Sequence, residues 1–278
     1  MSVHESAWVY RRFRWARVSV ALLATSTASY VVADPPAARA GDTVVGALLG
    51  WISVALIVWL TWFGVRKRSY GARGAPLHGW LSAHSYLGLS LLLLVPLHCA
   101  FQFGWNIHTL AYLLMTAVVL SGIVGVFYYT TVPARMTENR PGDTLGGMLE
   151  QIAELDGECR NLAEALPDVF AAAVELSITE TRFDGGFYRQ LAGFDPRCGT
   201  ARALEIVAAQ MRGSELSQPA STRRLLETLS VKRAMVGTVR KEIRYKALLQ
   251  FWLMVHVPLA VATLVAVAAH IAIVFLYR

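Results

Sequence analysis

Acidic side chains are almost missing from most of this chain. Of its 19 Asp and Glu, three lie outside residues 132–246, against ten of its 26 Lys and Arg. The block 132–246 holds 16 of each sign and is neutral, so the net charge of +7 belongs to the remainder. Charged residues make up 16% of the whole and hydrophobic ones 55%, whereas a soluble domain carries about 25% charged residues. That scarcity argues against an ordinary soluble chain and for a membrane protein with a polar insert. No basic stripe interleaved with aromatics appears, so no nucleic-acid partner is expected. The positive excess reads instead as topology information.

Cysteine is scarce too. Cys99, Cys159 and Cys198 are scattered, with no CxxC, no CxxCH and no iron–sulfur spacing. Disulfide stapling, covalently attached haem and a protein-held cluster are therefore not expected. A Walker loop, a GxGxxG turn and a solenoid repeat are also missing.

What the chain does have is long uncharged runs. A bilayer core takes about 20 apolar residues per helix, and five segments qualify as candidates: 18–33, 43–65, 81–103, 109–132 and 247–277. The first is short and lies between YRRFRWAR and AARA. It reads either as a retained helix, the favoured choice, or as a secretory signal. Arg11, Arg12, Arg14 and Arg17 precede it, and Arg66, Lys67, Arg68 and Arg73 stand between the second and third spans. The 34–42 loop has one Arg and the GWNIH turn has none. By the positive-inside rule the N-terminus and the insert are cytoplasmic, as for a protein of a bacterial inner membrane.

The organisation expected is an all-α integral membrane bundle. A basic segment and first span occupy 1–42, helices two to four 43–132, a helical cytoplasmic insert 133–246, and the fifth helix 247–278. In the insert, Asp143 or Thr144 offers an N-cap, followed by Leu145, Leu149, Ile152, Leu155, Leu162 and Leu166 near helical spacing. The stretch FDGGFYRQLAGFDPRCGT reads as loop. The basic run VKRAMVGTVRKEIRYK enters the fifth span directly and suits anionic headgroups.

Two histidine frames carry the chemistry. HSYLGLSLLLLVPLH spans His84 to His98, and HVPLAVATLVAVAAH spans His256 to His270. Fourteen residues advance a helix by about 21 Å and nearly four turns, so each frame sets two imidazoles on one face at two depths. The third and fifth spans run in the same direction. Equal depth then pairs His84 with His256 on the inner side and His98 with His270 on the outer side. Structural zinc takes four ligands around one centre, whereas haem iron needs two axial ones. Two non-covalent b haems held by paired histidines are the favoured reading. A histidine-lined metal or proton pathway and ordinary interhelical hydrogen bonding are the alternatives.

On these residues the chain resembles two groups of di-haem membrane cytochromes. One is the haem-bearing four-helix bundle of cytochrome b, to which spans two to five would correspond. The other is the ferric reductase and NADPH oxidase membrane domain, with paired histidines on its third and fifth helices and an inside N-terminus. The resemblance covers roughly 43–132 and 247–277 and implies haem ligation by His84, His98, His256 and His270. It departs from the first group in lacking a PEW motif and in its inverted orientation, and from the second in lacking a sixth helix and a flavin or nicotinamide domain. It implies an electron-transfer subunit working with redox partner proteins in a hetero-oligomeric complex, with an outer-face metalloreductase as the enzymatic alternative.

Several further residues are candidates around such haems. Gly122 and Gly125 in LSGIVGVFYY, and Gly88, would let a haem edge approach, though small residues also serve helix packing. Pro96 and Pro258 each lie two residues from a ligand histidine and would bend the helix to aim the ring. His108 at the outer mouth of span four, beside Trp105 and Asn106, is a candidate for a propionate, a quinone headgroup or an acceptor; His78 is its inner counterpart. Arg68, Arg73, Arg135, Arg244 and Lys246 would pair with inner propionates. Met115 and Met254 read as packing residues, and Trp62, Trp80 and Trp105 as interface anchors.

Overall fold

The computed structural model describes residues 9–33, 41, 43–68, 77–139, 144–193, 197–213 and 219–276, without the side chains of 65–68, 77–78, 129–130, 132–139 and 213. Every regular element among them is helical. In order these are α1 (Tyr10–Ala33), α2 (Val44–Arg68), α3 (Leu77–His98), α4 (Ile107–Asn139), α5 (Leu145–Ala163), α6 (Asp168–Thr179), α7 (Phe187–Ala192), α8 (Gly199–Gly213) and α9 (Pro219–Leu276). Helices α1 to α4 and α9 are long and apolar enough to cross a membrane. The fold is an all-α bundle, as expected, and is compatible with an integral membrane protein. Helices suit that solvent because they satisfy their own backbone hydrogen bonds.

Some boundaries differ from the sequence reading. Helix α1 starts at Tyr10 and takes in the arginines expected to precede the first span, with left-handed backbone at Arg11, Arg12 and Phe13 (φ 46, 54 and 61). Helix α3 stops at His98, five residues short of the apolar run. Ala100 and Phe101 turn the chain there with φ of 47 and 59, and the Phe101 N–H donates to the Pro96 carbonyl at 2.9 Å. The basic run and the fifth span form one helix of 58 residues, α9.

The chain forms two compact units, residues 1–130 with 252–278, and residues 131–251. In the first, α3 is the central helix. Over half of its span is buried (56%), against 28% or less for the other four. Small residues Ser82, Ala83 and Ser90 line its buried faces, and α1 and α2 pack closely on it, as small residues allow in membranes. The Ser19 hydroxyl of α1 donates to the Tyr86 carbonyl at 2.7 Å. Met115 is buried in the cluster of Ile57, Leu60, Leu87 and Leu91, the packing role expected of it. Met254 is instead 67% exposed. Trp80 stacks on Trp59 at 5.0 Å, while Trp62 and Trp105 are exposed.

The second unit packs α5, α6, α8 and the first part of α9 around Cys159, Phe170, Val174, Val207, Leu225 and Leu229. Thr144 caps α5, its Oγ1 accepting from the Gly147 N–H at 3.1 Å; Asp143 lies outside the described residues. The buried stripe of α5 is Met148, Ile152, Cys159 and Ala163. Leu149, expected on that face, is exposed, because 148 and not 149 keeps step with 152 and 159. The expected loop at 183–200 contains the short helix α7, closed by Gly193 at φ 64, and α8 begins before its end.

Lys232 is the one cation buried to this degree among the described residues, at 1% exposure. It pairs with Asp156 and donates to the Ser177 carbonyl at 3.1 Å and the Ser177 hydroxyl at 2.8 Å. Removing one partner of a buried pair leaves the other uncompensated, at about 3–5 kcal/mol. Lys232→Ala should therefore lower the stability of this unit by about that much, and Lys232→Met/Asp156→Leu by much less. Thermal unfolding followed by circular dichroism checks both.

Candidate functional site

The chemistry-bearing residues of the first unit lie on two helices that do not approach each other closely. Among the described residues, no close backbone packing like that of α1 and α2 on α3 joins α3 to α9. Imidazoles reach across instead. His98 of α3 and His270 of α9 have ring centroids 6.3 Å apart and ring planes 80° apart.

Three of the four rings are anchored through a particular nitrogen. The His98 Nδ1 lies 2.7 Å from the Gly46 carbonyl of α2. A carbonyl only accepts, so Nδ1 carries the proton and Nε2 keeps its lone pair. The His256 Nδ1 lies 2.7 Å from Ser121 Oγ of α4. That hydroxyl donates its own proton to the Val118 carbonyl at 2.8 Å, so it accepts from His256, which has the same tautomer. His270 Nδ1 meets His108 Nδ1 of α4, with ring centroids 4.3 Å apart. His84 sits against Phe63 at 5.0 Å, and its buried Nδ1 has no hydrogen-bond partner. His84 and His256 are electrostatic neighbours.

Two glycines make room for these rings. A Cβ on Gly50 of α2 would stand 2.7 Å from His98 Cε1, too close for any ordinary contact. On Gly125 it would overlap the Trp252 indole. That indole donates through Nε1 to the Ser121 carbonyl at 2.8 Å and stacks on His256 at 5.0 Å. The close neighbour of Gly125 is thus a tryptophan that orients a histidine. A Cβ on Gly122 would make only ordinary contact with His256, at 3.7 Å, and one on Gly88 would do the same with Leu60.

His98, His108 and His270 open on a cavity of about 490 Å³, whose wall also includes Gly50, Tyr112 and Ile271. Cofactor-sized sites occupy about 300–1,000 Å³. His108 is exposed in the first turn of α4, where Asn106 Oδ1 accepts from the Thr109 N–H at 3.0 Å.

Other sequence candidates lie elsewhere. Arg135, Arg68 and His78 fall on helices but outside the described side chains, and Arg73 lies outside the described residues. Arg244 belongs to unit 131–251, where its stem lies against Gly193. Lys246 is paired with Glu242 at 3.6 Å. Pro96 is buried near the end of α3, and Pro258 is exposed. The structure therefore brings together His98, His108 and His270 in one group and His84 with His256 in another. Sequence reading missed Gly50, Ser121, Trp252 and the Gly46 carbonyl. Trp252 left a signal, since it precedes His256 by one turn on the same face.

Among the described residues, no group of three or more His, Cys, Asp and Glu is arranged to hold a metal ion by itself. Two imidazoles at this separation suit a metal that brings its other ligands with it. The 6.3 Å between the His98 and His270 centroids is close to two metal–nitrogen bonds of about 2 Å each plus half a ring on either side. Comparison with protein families, characterised proteins and solved structures finds no match to this chain.

A methyl group forced into a packed site costs about 1–3 kcal/mol. Gly125→Ala should destabilise the membrane unit by that amount, as the indole has to leave His256. Gly64→Ala, where nothing lies within 4 Å, should be neutral. Thermal unfolding of the two variants in detergent, followed by tryptophan fluorescence, checks the difference.

Proposed function

We propose that this chain is the membrane cytochrome subunit of a redox complex. In this reading it carries electrons across a bilayer through two b haems, each held by one histidine of α3 and one of α9. The observation that carries the proposal is the outer pair. The rings of His98 and His270 lie 6.3 Å apart at 80° to one another, with each Nδ1 already engaged. Metal-bound histidines characteristically bond their other ring nitrogen in this way, which fixes tautomer and orientation. The unpartnered, buried His84 Nδ1 and the anchored His256 support an inner pair. Bound haem would supply a reversible one-electron iron couple inside hydrocarbon, where a bare charge is costly.

The chain's own residues hold and aim the ligands. The Gly46 carbonyl, Ser121 and His108 fix the imidazoles, and Gly50 and Gly125 leave them space. The exposed His108 and Asn106 at the cavity mouth suit an outer-face acceptor or a quinone headgroup. The resemblance to the ferric reductase and NADPH oxidase membrane domain favours a cytoplasmic N-terminus and insert, in a bacterial inner membrane, with a cytoplasmic donor docking on the insert. The contact of His108 with His270 also suits a histidine-lined metal or proton pathway, and an outer-face metalloreductase would use His108 in turnover.

Detergent-purified protein should contain two b haems per chain by pyridine haemochrome assay. His84→Ala and His98→Ala should each lose a different one in reduced-minus-oxidised spectra. His108→Ala should keep both while weakening outer haem retention about 10–100-fold, the usual effect of removing a ligand's supporting bond. A folded, colourless wild type that takes up no added haem would overturn the proposal and move the test to ion flux.

A further inference from the structure

We propose that α7 is a membrane-interface anchor of the insert, with Tyr188 and Ala192 on the edge that enters the headgroup layer. This rests on reading α9 as a membrane span and is independent of haem.

Helix α9 fixes the depth. Its last charged residue is Lys246, and no charge follows until Arg278. Phe251 lies five residues, about 7.5 Å, beyond Lys246. A bilayer has roughly 5–7 Å of polar layer on each side of its hydrocarbon core, so the segment from Arg244 to Phe251 crosses that layer. Helix α7 packs on this same segment at two points. Phe187 meets Phe251 with ring centroids 6.3 Å apart. Gly193, which closes α7 in left-handed backbone at φ 64, lies against the Arg244 stem, where a Cβ would stand 2.6 Å from Cδ. The two contacts tie both ends of α7 to the level at which charge gives way to hydrocarbon.

Composition fits that level. Tyr188 is 87% exposed, an apolar ring with a polar tip of the kind enriched at membrane interfaces. Arg182 and Arg189 flank it in sequence, Lys241, Arg244 and Lys246 lie on the stretch of α9 that leads to Phe251, and all five are exposed, as is the acid Asp184. Anionic headgroups attract such a basic rim, and arginine and lysine stems lie along apolar surface while their charges reach water. A six-residue helix with no fully buried side chain gains little from the insert's own core. Lipid is the occupant that its position on α9 supplies.

The test uses the full chain in liposomes containing anionic lipid, with Cys99→Ser and a bimane label at Tyr188→Cys. Cys159 and Cys198 are buried, and burial pushes the Cys159 thiol up to about 11, so the label goes to the introduced thiol. Reference labels sit at Val265→Cys in the span, an exposed position, and at Glu164→Cys on the insert. Ala192→Cys, one turn from Tyr188, repeats the reading should the first variant misfold. Brominated lipid should quench positions 188, 192 and 265 but not 164, and aqueous iodide should quench 164 most. Quenching at 265 without 188 and 192 would overturn the anchor alone, whether that face meets water or protein. No quenching at 265 would overturn the membrane reading and the anchor with it.

Discussion

Three of the histidines on these helices hold a ring nitrogen in a bond to a neighbouring helix. His98 gives its Nδ1 proton to the Gly46 carbonyl, His256 gives its own to Ser121, and His270 shares Nδ1 with His108. Each anchor comes from a helix other than the one that bears the histidine. The orientation of these rings therefore depends on how α2 and α4 are placed against α3 and α9. Buried polar atoms without partners are expensive, and the buried Nδ1 of His84 is one of them.

The surrounding structure leaves room for these rings. Gly50 and Gly125 lie where a methyl group would displace a ring or its supporting indole, which explains small residues in helices otherwise built from bulky ones. The α3 helix is central and tightly wrapped by α1 and α2, while its approach to α9 is left to side chains. The insert is built on different rules. Its stability comes from an ordinary apolar core and the buried Lys232–Asp156 pair.

The five spans and the helical insert were legible because apolar length and charge segregation are one-dimensional signals. The two fourteen-residue frames were legible for the same reason, since helical repeat converts spacing directly into a shared face. What supports those histidines was not. The Gly46 carbonyl is backbone and leaves no mark on the sequence. Ser121 reads like any small residue of a membrane helix until α4 is set opposite α9. Gly125 was legible as a point of close approach, but not that the approaching group is Trp252. Helix α7 was hidden because Gly185, Gly186 and Gly193 gave its six residues the look of a loop. Leu149 was misplaced for a smaller reason: Met148, one position away, completes the apolar stripe.

The most direct test is electron paramagnetic resonance of the oxidised, purified protein at low temperature. The account predicts low-spin ferric haem from two centres per chain, each with two imidazole ligands. One should show the strong anisotropy of nearly perpendicular rings, as set by the 80° between His98 and His270. A high-spin spectrum, or no haem signal from a folded and haem-supplemented protein, would contradict it.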